Sequence, residues 1–477
     1  MKKFIAMLMA VVMVFALCAC GQSEAPAAAP AAAPAAAPAA APEAAAPAAP
    51  AAPEKVKIHF MSFTVEVPDM VNKFLEVRPD LAEKFYVDEP TIVATTDQLY
   101  QPALDQALAA GGADAPDIYA AEAAFILKYA QGDACEYAAA YEDLGIDVAA
   151  ETAKAGIAPY TIDIGTRPSD GKLVGLGYQS TGGAFIYRRS IAKDVWGSDD
   201  PAVVAEKIGA GSGNWDAFFA AAEELKAKGY KIVSGDGDIW HAVENSSPTG
   251  WIVDGKLNID PAREAFLDLS NKLYTNEYMN DTVDWQEGWF ADMKMSGNAL
   301  GFYGPAWLIN YTIGDNCGKD TDESSYGDWA VCAPNIGFFW GGTWVLAGKT
   351  VVGSEKQDIV KDIINWITLD CTEEGLQYYW ANGTLNGEGG TKDTVASGTV
   401  MAKSNGEMEF LGGQNMFDVF VPANAAANGA NLTQYDATIN GYFREAVKNY
   451  AHGDSSYEDA IEFFKTQVKE NLDVVVE

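Results

Sequence analysis

Phe338-Phe339-Trp340-Gly341-Gly342-Thr343-Trp344 sets three large rings before two glycines and one ring after them. Glycine lets backbone run close beneath a ligand, and an indole offers a flat apolar face with a single donor. Rings on a ligand's apolar faces, with carboxylates and amides on its polar rim, suit a flat, hydroxyl-rich molecule. The stretch also reads as a bulged core strand, with the glycines at the kink. The other stacking candidates are Trp285, Trp289 and Trp307. Trp285 and Trp289 are four apart, so a helix would place them on one face. Candidate polar groups are Glu66, Asp97, Glu122, Gln179 and Asp236. Asp97 doubles as a helix cap, and Asp236 doubles as a surface-turn residue. Trp196, Trp215 and Trp366 read as core or surface residues, outside the candidate set.

The elements that must position these groups alternate strand and helix. Lys55–Phe60, Thr91–Thr95 and Pro116–Ala120 read as strands. Helices follow from Pro68, from Asp97 to Gly111-Gly112, and over Glu122–Tyr129. This is a parallel, doubly wound pattern, whose ligands gather at the carboxyl ends of strands. Those ends carry Glu66, Asp97 and Glu122. Leu173–Tyr178 reads as a further strand. A second α/β unit is under way by about residue 180, with strands at Ala184–Tyr187 and Lys231–Val233 and helices opened by Asn214 and Asp260-Pro261. Asp236 follows Lys231–Val233 within a glycine-flanked loop. The tryptophans are uneven: 12 in all, the first at Trp196.

Before the fold lie two other segments. Residues 1–19 read as a signal peptide, with Met1-Lys2-Lys3 ahead of an apolar run to Leu17. Leu17-Cys18-Ala19-Cys20-Gly21 resembles a lipobox, with Cys20 as the acylated residue. Residues 20–53 form a tether in which, from Ala25 to Pro53, Glu43 alone departs from Ala and Pro. Proline at that frequency blocks the alanine helix, so the tether extends up to about 90 Å at roughly 3.1 Å per residue. No later segment reads as a membrane span, so the lipid would hold the protein to the membrane.

Net charge is −35, or −37 once Lys2 and Lys3 leave with the signal, which excludes a nucleic-acid partner. Cys317 and Cys332 flank a polar insert, and a bridge between them would contribute about 3 kcal/mol; Cys135 and Cys371 read as buried apolar residues. His59, His241 and His452 stand far apart, with no metal-ligand spacing and no cofactor motif. No Gly-x-Ser-x-Gly elbow or catalytic base appears, so no catalytic residue is assigned.

With these pieces placed, the chain resembles the extracellular solute-binding proteins of carbohydrate ABC importers, the maltose-binding-like family. The resemblance spans nearly all of Lys55 to Leu472. It rests on Tyr100-Gln101-Pro102-Ala103-Leu104, Pro116-Asp117-Ile118-Tyr119, Gly183 to Arg189, Gly304-Pro305-Ala306-Trp307 and Trp340 to Trp344. It implies an α/β periplasmic-binding-protein-like fold with two lobes, a hinge of crossing segments and a ligand cleft between the lobes. By that analogy lobe one is 54–178 with 339–378, and lobe two is 179–338 with 379–477. The crossings fall near Tyr178–Gly182, Asn335–Phe339 and Tyr379–Thr384. The implied function is non-enzymatic: a monomeric lipoprotein on the outer face of a Gram-positive cell membrane captures a sugar or oligosaccharide. It delivers that ligand to the permease subunits of an ABC transporter. Alternatives are a binder of a polyamine or peptide, or a surface glycoside hydrolase recruiting Glu122, Asp236 and Glu287.

Overall fold

A computed structural model describes residues 55–477, apart from 89, 96–98, 113–114 and 388. The signal peptide, Cys20, the tether and Asp97 lie outside the described residues. Among the described residues, no helix is long and apolar enough to cross a membrane.

Two mixed sheets organise the fold. The first has five strands in the order Thr91–Ile92, Phe60–Ser62, Ile118–Glu122, Thr343–Ala347, Gly175–Gly177. Its first three strands run parallel, and Thr343–Ala347 is antiparallel to both neighbours. Apolar residues cover both faces of Ile118–Glu122, as a central strand requires. Ile118 and Ala120 face the helices Glu66–Val77 and Gln357–Thr368, through Met70, Phe74 and Ile363. Tyr119 and Ala121 face Leu104, Tyr129 and Ile164 on the other side. The second sheet has four strands in the order Trp329–Cys332, Ala184–Arg188, Ala299–Gly304, Lys231–Val233.

The expected strand Lys55–Phe60 is broken at His59. Its backbone N–H donates to the Asp117 carboxylate at 2.8 Å, which interrupts the ladder. Val56–Ile58 therefore pairs with Phe85–Val87, a strand that the sequence did not announce. The Asp260-Pro261 signal works as read: the Asp260 carboxylate accepts from the Ala262 N–H at 2.8 Å, and proline takes the first turn. Glu122 is the last residue of its strand, and the following helix is only Ile126–Ala130.

Three stretches cross side by side between the sheets. The Gly183 N–H donates to Phe338 O at 2.9 Å, Trp340 N–H to Thr181 O at 3.1 Å, and Ala396 N–H to Tyr178 O at 2.9 Å. The third crossing is thus near 394–396. The expected crossing at Tyr379–Thr384 falls instead on the Leu376–Asn382 helix, which buries Leu376, Trp380 and Ala381 on one face.

Cys317 and Cys332 are not bridged; both are free thiols, as are Cys135 and Cys371. Alternation along Trp329–Cys332 explains it. Trp329 and Val331 point into the cluster that holds Cys317, whereas Ala330 and Cys332 point into the opposite core. The Cys317 thiol donates to Gly314 O at 3.2 Å.

Candidate ligand-binding site

Trp340 stands at a crossing between two cores. Phe338 is buried in the core of the second sheet and Phe339 in one core of the first. Trp340 then stays half-buried. Gly341 and Gly342 take φ values of +72° and +116°, which side chains resist. A Cβ on Gly341 would sit 3.2 Å from Trp307 Nε1 and 3.4 Å from Glu122 Oε1. The glycine thus leaves room between an indole and a carboxyl.

The rings assemble around Trp340. Trp307 meets it edge-on with centroids 4.9 Å apart, and its indole N–H donates to Trp340 O at 3.0 Å. The His241 imidazole stacks on Trp340 at 4.0 Å and 15°. Trp285 lies 6.1 Å from both Trp340 and Trp307, nearly parallel to Trp307. It is 50% exposed and held at φ +65°, an unusual state for a bulky residue.

Carboxyls ring this aromatic group. Glu122 accepts the Ala124 N–H at 2.7 Å, and burial pushes its pKa up to about 7. His241 Nδ1 lies 2.9 Å from Glu244 Oε1, and its Nε2 lies 3.9 Å from Asp284 Oδ2. Asp284 Oδ1 has no partner among the described residues, and burial raises the Asp284 carboxyl above its usual range. Asp236 differs. Burial opposes its charge, yet Arg444, bound through both nitrogens at 2.5 and 3.1 Å, and Ser270 hold it below its usual range. Glu122, Asp236, Trp340, Gly341, His241 and Arg444 all line one cavity of about 640 Å³.

Of the sequence candidates, this brings together Glu122, Asp236, Trp340 and Gly341 along the cavity, with Trp307 and Trp285 against Trp340, while Gly342 faces Trp344 and Thr181 outside the cavity lining. Four others go elsewhere. Trp289 is fully buried against Phe290 and Phe302. The helix there is only Glu287–Ala291, so Trp285 precedes it; the two rings still meet, with centroids 5.3 Å apart. Trp344 is a core residue whose indole N–H donates to Thr161 O at 3.0 Å. Its strand alternation turns it into the first sheet's core. Gln179 is buried at a crossing and donates to Asp393 at 3.0 Å. Glu66 opens its helix and accepts from the Tyr178 hydroxyl; burial, then the charge of Asp393, push it up to about 8.

Sequence reading missed His241, Glu244, Arg263, Asn440 and Arg444. His241 and Glu244 are three apart on the helix Gly237–Ser246, which Asp236 introduces. Asn440 and Arg444 are four apart on the helix Asp436–Ala451. That spacing on one face was the available signal.

Two sheets joined by crossing segments, with a polar and aromatic cavity beside the crossing, define a two-lobed binding protein. Residues 90–409 match the family described as bacterial extracellular solute-binding protein, and the chain belongs to that family. Among curated proteins, none matches it in sequence. Solved structures share the fold. An extracellular solute-binding protein of family 1 superposes with a TM-score of 0.66 at 19% identity, over 87% of this chain and 99% of that one. The galacto-N-biose/lacto-N-biose I-binding protein of a Bifidobacterium longum ABC transporter, in complex with lacto-N-biose, gives 0.63 at 18%, over 89% and 99%. The GacH receptor of Streptomyces glaucescens, known unliganded and with acarbose, gives 0.60 at 14%, over 88% and 100%.

Proposed function

We propose that this solute-binding protein captures a carbohydrate in the Trp340 cavity and presents it to the membrane subunits of an ABC transporter. The observation that carries this reading is the Trp340-Gly341 crossing, where stacked rings stand beside hydroxyl acceptors such as Glu122. The structural neighbours whose ligands are sugars support it. One lobe takes about 55–178 with 339 onward to the third crossing near 394–396, and the other takes about 179–338 with the chain beyond that crossing. Closure between them buries the ligand. Cys20 carries the lipid, the Ala/Pro tether spaces the binding unit from the outer face of the membrane, and the protein works as a monomer.

The protein binds without turnover. A hydrolase needs two carboxyls flanking the scissile bond. Of the three that the sequence offered, Asp236 is tied to Arg444 and Glu287 is exposed at a helix start, outside the cavity wall. A polyamine remains the second reading, because Glu122, Glu244 and Asp284 crowd the same rings.

A thermal-shift panel of glycans and polyamines separates these readings, since a ligand at a hundred times its Kd stabilises by about 2.7 kcal/mol. A shift with glycans is expected. A shift with polyamines alone overturns the carbohydrate reading, and release of cleaved sugar overturns the non-catalytic one.

A further inference from the structure

We infer that residues 424–434 form a strap that latches lobe two onto lobe one along the cavity wall, and that the wall parts where this strap meets lobe one. The inference holds whatever ligand the cavity takes.

Both ends of the strap belong to lobe two. It leaves the helix Phe417–Ala423, which packs against the strand Ala184–Arg188 of the second sheet. It enters the helix Asp436–Ala451, whose Ile439 and Phe443 lie in the core with Phe185 and Ile232. Asn431 ties the middle to the same lobe, its amide donating to Pro248 O at 2.9 Å.

The strap nevertheless reaches lobe one at three points. Ala427 and Leu432 pack against the core that holds Leu127, Tyr160 and Ile164. Gly429 is buried on the helix Pro159–Gly165, where a Cβ would sit 2.6 Å from Ile164 Cγ1 and 3.1 Å from Tyr160 O. Gln434 Oε1 accepts the Asp133 N–H at 3.1 Å. Between these lobes, at the first crossing, the Gly182 N–H donates to Asn424 Oδ1 at 2.9 Å.

The three crossings join the lobes covalently, and lobes so joined turn about them as a hinge. The strap is a further link, held to lobe one by non-covalent contacts, so it can let go and be remade. No residue from 424 to 434 carries a charge. The hold is therefore small apolar contacts and a neutral hydrogen bond, whose net worth is modest. Leu432 and Thr433 line the cavity from the strap, and Leu127 lines it from lobe one. Leu127 and Leu432 also share one apolar cluster. Release of the strap thus opens the wall of the cavity itself.

Two measurements on the full chain without ligand test this, so their failure leaves the carbohydrate reading standing. Spin labels on exposed helix positions, Asn72→Cys in lobe one and Ala220→Cys in lobe two, report the separation of the lobes. Cys18→Ser, Cys20→Ser and Cys135→Ser leave only buried native thiols beside them. Gln434→Ala should enlarge the fraction at a second distance about fivefold, as loss of one hydrogen bond implies. Gly429→Val, which drives a side chain into Ile164, should enlarge it further. Circular dichroism checks the fold, and Gln434→Ala carries the test if Gly429→Val does not fold. Unchanged distances in folded variants overturn the latch. Hydrogen exchange then locates the opening. Gly429→Val should speed exchange over residues 126–133 and leave the strand Ile118–Glu122 at its wild-type rate; unchanged exchange over 126–133 overturns the seam.

Discussion

Glu66 and Glu122 begin from the same position. Each stands at or just beyond the carboxyl end of a parallel strand in the first sheet, where ligands of such sheets gather. Burial raises both carboxyls, to about 8 and about 7. Only Glu122 lines the cavity; Glu66 turns to Tyr178 and Asp393 beside the crossing segments. Trp340 and Trp289 form a parallel pair, one half-buried among rings at the cavity and one sealed under Phe290 and Phe302. Residue type and strand position select the candidates, and the partner that reaches a side chain first decides whether it serves the ligand or the fold.

The largest expected effect lies on the sealed side. Trp289→Ala removes a fully buried ring and should cost about 3–5 kcal/mol of stability, read by chemical denaturation. Trp340→Ala should leave the fold standing and weaken ligand binding at least about tenfold, about 1.4 kcal/mol. Equal losses of stability in the two variants would erase the distinction.

The acidic pair gives the next effect. A carboxyl whose folded pKa is raised keeps a proton that the unfolded chain has lost. Stability therefore falls as pH rises from about 4.5 to about 8 for Glu66, and from about 4.5 to about 7 for Glu122. Glu66→Gln should flatten that fall and leave binding unchanged. Glu122→Gln should flatten it and weaken binding. Melting temperature measured across this pH range, with a titration of each variant, separates the two; a binding loss in Glu66→Gln would return that residue to the site.

The smallest effect falls on Trp285. Its φ of +65° suits glycine, so Trp285→Gly should alter stability by less than about 1 kcal/mol while weakening binding severalfold. A large fall in melting temperature would mean that the exposed ring supports the fold.

Much of this was legible in sequence. Glu122 ends a strand and Trp340 precedes two glycines, and both facts are local. The doubly wound first sheet and the Asp260-Pro261 helix start were local as well. His241, Asn440 and Arg444 were not, because they meet only when two helices nearly 200 residues apart converge on one cavity. Arg263 carried no sequence signal: a lone arginine behind a helix cap gives no sign that Trp251 will lie beneath it. The Cys317–Cys332 bridge failed for a related reason. Loop closure considers the ends of an insert, and strand alternation, which turned Cys332 away, acts on the neighbours of one end.

The ring cluster has an optical consequence. Trp285, Trp307 and Trp340 stand within 6.1 Å of one another, and an imidazole lies flat on the last of them. Indoles this close share their excited states, and a proton or a hydroxyl arriving at their edges alters the light they emit. The cavity thus carries its own unlabelled fluorophore, and its emission should change as ligand is titrated in.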